Sequence, residues 1–327
     1  MKINSEFDLI EKFKTDSEKH PRPESLIEGI GDDCAAFKAS KDRISLITTD
    51  MSVEGTHFIR DISTPFETGW KCMTANLSDI AAMGGVPIFA FISVGLPPDT
   101  DEDYASELFR GLNRCAAEWG AYIAGGDTTR SEKVVISVTI YGEAGPDSLI
   151  TRRGAAPGDS IFTTGPTGDS TAGLELLKEK GRAAQELYPS LVKKHLAPDP
   201  RSGAVQSVLS MKPTAMIDLS DGLVSDLKHI CEASQTGFIL TCEDIPLSEE
   251  LIKYCSDSGK DPLQYALTSG EEYELIFTAK DTAHPPLSDG DLKIKKIGRI
   301  TEKDYLISEK GSIKSVDAEG FDHFNMK

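Results

Sequence analysis

Apolar residues recur along the chain at two spacings, every second position and every third to fourth, and this divides it into short strands and amphipathic helices. Tyr104, Leu108, Leu112, Ala116 and Trp119 share one helical face. Thr100 stands before them as a cap, Asp101 to Asp103 suit the positive end of the helix dipole, and Gly120 permits the stop. Thr64-Pro65-Phe66-Glu67 reads as a capping box with proline in the first turn, so a second helix runs from there to Gly84-Gly85. On it Asn76 and Asp79 stand three apart and share a face, although Ala75, Leu77, Ile80, Ala81 and Ala82 around them are apolar or small. Strands are predicted over residues 45–49, 88–94, 121–124 and 134–141.

The stretch 142–158 is rich in Gly, Pro and Ala, and after it the strand-then-helix pattern starts afresh. This predicts a boundary near residue 147, with residues 1–147 as one α/β domain built on a mixed sheet and residues 148–327 as a second. In the second half, strands are predicted over 160–163, 215–218, 238–241, 274–278 and 293–299, with helices near 170–180 and 222–234. The fold class is α+β. A chain of 327 residues exceeds what one hydrophobic core usually supports, which agrees with two domains.

Charge narrows the partners. Asp and Glu number 53 against 35 Lys and Arg, a net charge of −18, which repels phosphate backbones and anionic membranes. Nucleic acid and membrane are therefore disfavoured. The long uncharged window 80–98 is broken by glycines and prolines, and the first residues carry no basic-then-apolar leader. Six cysteines without a CxxC pair fit reduced thiols in a cytoplasm. A Walker A loop, a complete G-x-G-x-x-G, G-x-S-x-G and H-E-x-x-H are all absent.

What remains is a set of aspartates beside small or hydroxyl residues, placed where predicted strands stop. They are Asp32-Asp33 after Gly31, Asp50 after Thr48-Thr49, Asp127 after Gly125-Gly126, and Asp218 with Asp221 in Ile217-Asp218-Leu219-Ser220-Asp221-Gly222; Asp79 joins them from its helix. Any one of them alone is a turn or cap residue. If they converge, two charges about 4 Å apart repel by roughly 4 kcal/mol at an effective dielectric near 20, so cations must sit among them. Carboxylate, carbonyl and hydroxyl oxygens are hard ligands that suit Mg2+ carrying waters and substrate phosphates, which points to ATP. The turn Thr163-Thr164-Gly165-Pro166-Thr167-Gly168-Asp169-Ser170 precedes a helix and is expected to offer N–H groups to phosphate. Arg152 and Arg153 precede it as candidate phosphate clamps or as solvated surface.

With Gly29-Ile30-Gly31-Asp32-Asp33-Cys34-Ala35, Gly55-Thr56-His57-Phe58, Asn76 to Gly84, Gly125-Gly126-Asp127-Thr128-Thr129, Pro157-Gly158-Asp159, Asp218 to Leu223, Gly270-Glu271-Glu272-Tyr273-Glu274-Leu275 and Gly320-Phe321-Asp322-His323-Phe324, the chain resembles the thiamine-monophosphate kinase family of the aminoimidazole ribonucleotide synthetase-like superfamily. The segments around His57, Gly270 and Phe321 point to the kinase; the others are shared more widely. The resemblance implies two α+β domains, a homodimer paired through the N-terminal sheets, and transfer of the ATP γ-phosphoryl group to thiamine monophosphate. It implies Mg2+ ligands at Asp33, Thr48, Thr49, Asp50, Asp79, Asp127, Asp218 and Asp221, and ATP contacts at Gly126, Asp127, Arg152 and Ser220. It places His57, Glu271 and Phe321 on the thiamine side, with Glu272 and Phe324 as alternatives to the last two. Another ATP-using superfamily member is the runner-up. That reading wants a reactive cysteine in a glycine-rich loop or at the terminus, yet the first cysteine is Cys34 and the chain ends Phe324-Asn325-Met326-Lys327.

Overall fold

A computed structural model of the chain describes residues 6–28, 36–282 and 292–316, which fall into two units, each with its own core. The first comprises Met1–Ile80, Gly85–Leu149 and Leu196–Pro198. Its elements are α1 (Glu6–Ser17), β1 (Leu26–Glu28), β2 (Ala36–Phe37), β3 (Ile44–Val53), α2 (Pro65–Ala82), β4 (Val86–Leu96), α3 (Glu102–Glu118), β5 (Tyr122–Arg130) and β6 (Val135–Ala144). The capping box at α2 forms: Thr64 donates its N–H to Glu67 Oε2 at 2.8 Å, and Glu67 returns its own to Thr64 Oγ1 at 3.2 Å. The cap of α3 is Asp101, not Thr100, because the Asp101 carboxylate accepts the Tyr104 N–H at 2.6 Å and adds a negative charge to the dipole.

Strands β3, β6, β4 and β5 form a four-stranded sheet in that order, antiparallel except for β4 and β5, which are joined through α3 as a parallel pair requires. One face packs Ile92, Ile136, Val138 and Ile140 against Met73 and Leu77 of α2 and Leu108 and Leu112 of α3. On the other face the β1–β2 ribbon covers Phe89 and Tyr141 with Leu26 and Phe37. Ile47 (72% exposed) and Met51 (59%) are left in solvent.

Strands β3 and β5 run past their predicted ends. Pairing along β3 continues to Val53 opposite Val135, and β5 continues beside β4 to Arg130. Asp50 and Asp127 therefore lie inside strands rather than where strands stop. The partner strand decided this, since neither Thr48-Thr49-Asp50 nor Gly125-Gly126-Asp127 carries an apolar alternation of its own.

The second unit comprises Ala81–Gly84, Ile150–His195 and Asp199–Lys327. It runs β7 (Ser160–Thr163), α4 (Asp169–Lys180), α5 (Ala184–Leu187), α6 (Pro189–Leu196), α7 (Val205–Ser210), β8 (Ala215–Asp218), α8 (Leu223–Ser234), β9 (Gly237–Thr241), α9 (Glu249–Ser258), α10 (Pro262–Thr268), β10 (Leu275–Ala279), β11 (Lys295–Thr301), β12 (Tyr305–Glu309) and β13 (Ser312–Ser315). The strands form a seven-stranded sheet in the order β13-β12-β9-β11-β7-β10-β8, antiparallel except for β12 with β9. Ile161, Ile217, Ile276 and Ile297 meet Leu223, Leu227 and Ile230 of α8 in one core cluster, while Phe162 stacks on Phe277 in another. Among the described residues no helix is long and apolar enough to cross a membrane.

Candidate active site

In the first unit the register sorts the candidate ligands by face. Leu46, Thr48 and Asp50 alternate with Ile47, Thr49 and Met51 along β3, and Leu46 is buried among the α2 side chains while Ile47 is exposed. Thr48 Oγ1 donates to Asp79 Oδ2 at 2.5 Å, which ties the strand to the polar face of α2. Asp50 shares that face, opposite Val138, at the end where the strand reaches solvent. Partial desolvation raises its carboxyl above the ordinary value, and His57, when its ring takes up a proton, opposes the rise. Thr49 points to the other face and bonds Thr139 Oγ1 at 2.9 Å. Asp127 is exposed and pairs with Ser93, which pairs with Ser137 and so with Met51, on the face opposite Asp50. Gly126 lies against the neighbouring backbone, where a Cβ would stand 1.9 Å from Ile92 O. His57 closes a turn: its Nδ1 accepts the Val53 N–H at 3.1 Å, which puts the proton of the neutral ring on Nε2. Asn76 is fully buried, donating to Cys72 O at 3.3 Å, and its Oδ1 has no hydrogen-bond partner.

In the second unit Asp218 ends β8, buried, and the half-buried Ser220 and Asp221 follow. Asp226, in the first turn of α8, folds back and accepts with one oxygen the N–H groups of Ser220 (2.9 Å), Asp221 (3.0 Å) and Gly222 (3.2 Å). Burial pushes its carboxyl up to about 7 against the pull of those donors. Asp221, Asp226 and His229 each present a ligand atom within 4.8 Å of the others, a grouping the sequence analysis did not include. The helical spacing of 226 and 229 was its only signal. Arg152 and Arg153 are exposed. A cavity of about 300 Å³ opens beside Asp221, walled by Leu263, Leu267, Ile307 and Val316 and bordered by Asp261 and Glu309.

The turn that carries Glu271 is built on buried charge. Glu271 is one-third exposed, with its carboxylate 3.8 Å from His195 Nδ1. Glu272 and Glu274 are fully buried. Arg201 holds Glu274 through Nε and a terminal nitrogen, both at 2.8 Å, and Lys194 adds a third contact at 2.6 Å. Although burial opposes it, these two cations hold the Glu274 carboxyl down to about 2. Glu272 Oε1 accepts the N–H groups of Gly168 and Ser170, each at 2.9 Å, and burial pushes this carboxyl up to about 7. The expectation that the 163–170 turn offers those N–H groups to phosphate is thereby corrected, because Glu272 already occupies the first turn of α4 as an internal anion. Glu271 (φ 55°) and Tyr273 (φ 53°) both stand in the left-handed region, at a cost of about 1–3 kcal/mol each. Lys194, His195 and Arg201 went unremarked in the sequence because nothing local distinguishes a lysine that meets a buried acid from one that meets water.

Asp33, Phe321 and its alternative Phe324 lie outside the described residues.

Comparison with known proteins follows the same division. The family described as AIR synthase related protein, N-terminal domain, matches residues 31–144, and its C-terminal domain family matches residues 156–309. The chain is 36% identical over 324 residues to thiamine-monophosphate kinase of Aquifex aeolicus, covering 99% of each. It is 35% identical over 308 residues to the Escherichia coli K12 enzyme of that name, covering 90% of this chain and 91% of that one. A solved structure of AaThiL complexed with AMPPCP and TMP superposes with a TM-score of 0.80 at 35% identity, covering 99% of each chain.

Proposed function

The chain belongs to the thiamine-monophosphate kinase family and catalyses ATP-dependent phosphorylation of thiamine monophosphate, and from that premise we propose how its residues divide the work. The observation that carries the proposal is the Thr48–Asp79 hydrogen bond beside the exposed Asp50 on one sheet face, a set of hard oxygens. These donors fit Mg2+, as do Asp218 and Asp221 in the second unit; His229 is a softer ligand better suited to other metals. Bound Mg2+ supplies charge neutralisation and a template for the phosphates. Thr48, Asp50 and Asp79 are proposed ligands on one sheet face, with Thr48 also orienting the Asp79 carboxylate; Thr49 and Asp127 are proposed ligands on the opposite face, and Asp33, Asp218 and Asp221 complete the proposed set. Gly126, which lacks a side chain because the Ile92 carbonyl fills that space, offers the ATP its backbone only, Ser220 donates to the phosphates, and Arg152 contributes from its exposed position.

The acceptor is a phosphate oxygen already ionised at neutral pH, so the site needs positioning and charge neutralisation rather than a general base or a side-chain nucleophile. Transfer is a single in-line displacement: the acceptor oxygen forms its bond to the γ-phosphorus as the bond to the β–γ bridging oxygen breaks, and ADP leaves. His57, Glu271 and Phe321 hold the thiamine moiety. A cavity beside Asp221 has apolar walls with three carboxylates at their border, which suit a flat cationic heterocycle, although neither His57 nor Glu271 lines it. The open sheet face with Ile47 and Met51 supports pairing with a second copy of the chain, and the net charge of −18 supports a small-molecule substrate over nucleic-acid binding.

The test is to incubate the purified protein with ATP, Mg2+ and thiamine monophosphate, thiamine or an aminoimidazole precursor, and to resolve the products. Thiamine diphosphate and ADP formed only from thiamine monophosphate is the expected result. Transfer to another acceptor, or retention of configuration at a chiral γ-phosphorus, would overturn the substrate or the single-step scheme respectively.

A further inference from the structure

Glu272 is a fully buried acid between two residues with strained backbones, Glu271 and Tyr273. Its Oε1 takes three donors: the N–H groups of Gly168 and Ser170 and the Ser269 hydroxyl at 2.7 Å. Ser269 Oγ accepts the Thr171 N–H at 3.0 Å and so joins the same helix end. Oε2 has no hydrogen-bond partner and lies 3.9 Å from Lys194 Nζ. The backbone of the turn is fixed from the opposite side, where Glu271 donates to Ser220 O at 2.7 Å and Glu272 and Tyr273 donate to Leu219 O at 3.1 and 2.8 Å. Gly270 permits this approach, since a Cβ there would stand 2.6 Å from Ser220 O. Strained non-glycine residues persist only where their surroundings over-determine them, and here the Glu272 side chain is the clamp on one side.

We propose that Glu272 is a positioning residue: by seating its carboxyl on the N-terminus of α4, it fixes the strained turn that presents Glu271 to the acceptor. This rests on the reading that Glu271 meets the thiamine moiety. The metal side has a side-chain clamp of its own in Asp226, which holds the N–H groups of residues 220–222, while its Leu219 and Ser220 carbonyls are bonded to the backbone of the Glu272 turn, which every substitution at 272 retains. Removing the Glu272 side chain is therefore expected to weigh on the acceptor more than on ATP. The three donors all converge on Oε1, so a glutamine, which keeps a carbonyl oxygen there, preserves the clamp, whereas alanine abolishes it.

The experiment measures KM for thiamine monophosphate and for ATP, with kcat, in the full chain carrying Glu272→Ala, Glu272→Gln, Glu271→Gln, Ser269→Ala, or Glu272→Ala together with Glu271→Gln. Glu272→Ala is expected to raise KM for thiamine monophosphate by about 10-fold or more with KM for ATP within about 2-fold, and Glu272→Gln to recover to within about 3-fold of wild type. In the Glu271→Gln background, Glu272→Ala is expected to add less than about 3-fold, because both changes remove the same presentation. Where Glu272→Ala does not fold, Ser269→Ala, which removes one donor, is expected to raise KM for thiamine monophosphate by about 3-fold, and an unchanged value there overturns the proposal. Full additivity in the double variant overturns it too. A raised KM in Glu271→Gln with a wild-type KM in folded Glu272→Ala overturns the positioning role alone. A wild-type KM in Glu271→Gln overturns the reading of Glu271 and the proposal with it.

Discussion

The same residue type does opposite things in the two units. In the first, Asp50 and Asp127 stand on strands with their carboxylates toward solvent. In the second, Asp226, Glu272 and Glu274 are buried, and each holds two or more donors at 3.2 Å or less. A carboxylic group taken out of water is stabilised by the donors that meet it or by taking up a proton, and so held it has little left to offer a ligand. A carboxylate left in water keeps its oxygens for a cation. Burial with donors therefore marks the acids that build the site, and exposure on a rigid strand marks those proposed to work in it.

The sharpest break in that contrast is Glu274→Ala. It leaves Lys194 and Arg201 facing a buried void, at a cost of about 3–5 kcal/mol, so denaturant midpoints fall steeply or the chain fails to accumulate. A loss below about 1 kcal/mol would mean those cations find water. Asp50→Asn is expected to do the reverse. Turnover falls by about 10²- to 10³-fold, corresponding to several kcal/mol of lost transition-state charge stabilisation, while the metal-free fold is unharmed or gains slightly from the removed repulsion. Near-normal turnover would move the metal site elsewhere.

A third and smaller effect is ligation itself. Saturating Mg2+ with ATP at about 100 Kd stabilises the native state by about 2.7 kcal/mol, read as a rise in melting temperature that Asp50→Asn blunts and Glu272→Gln preserves. An equal rise in both variants would erase the distinction between working and building acids.

The smallest effect is the pH dependence of the buried acids. Glu272, pushed up to about 7 with Lys194, Asp169 and Glu274 around it, binds its proton more tightly in the native state than unfolded. Stability from this group is present below about 4.5 and is lost as pH rises through 7. Glu272→Gln removes that loss, so its melting temperature relative to wild type should climb by a few degrees between pH 5 and pH 8. Glu274, held down to about 2, works the other way: its contribution is present above about 4.5 and disappears as pH falls toward 2, so Glu274→Gln flattens the acid limb of the stability curve. A relative melting temperature for Glu272→Gln that fell with pH would show a native carboxylate stabilised by Lys194.

Much of the fold was legible because its signals are local. The capping box at Thr64, the apolar stripe of α3 and the strands at Ser160–Thr163 and Ala215–Asp218 need only neighbours within a few positions to declare themselves. The hairpin β12–β13 was missed because Tyr305–Glu309 is half-buried along its whole length and alternates weakly. The aspartate-rich segments were legible as chemistry, since short hard-oxygen side chains beside glycine and threonine are a pattern in themselves.

Sequence alone thus determined the two-domain α+β plan and the family resemblance, both of which are written in adjacent residues, while the acidic chemistry it suggests stands as a proposal. Tertiary structure decided three things that no adjacent residue encodes. The cross-strand register put Asp50 and Asp127 on opposite faces, because a strand's facing follows from its partner. Two acids next to each other in sequence, Glu271 and Glu272, were sent to solvent and to the core by left-handed turns either side of the second. And the N–H groups that a glycine-rich turn holds out to an anion were filled by a carboxylate roughly a hundred residues away, since a helix end accepts whichever negative charge the packing brings to it.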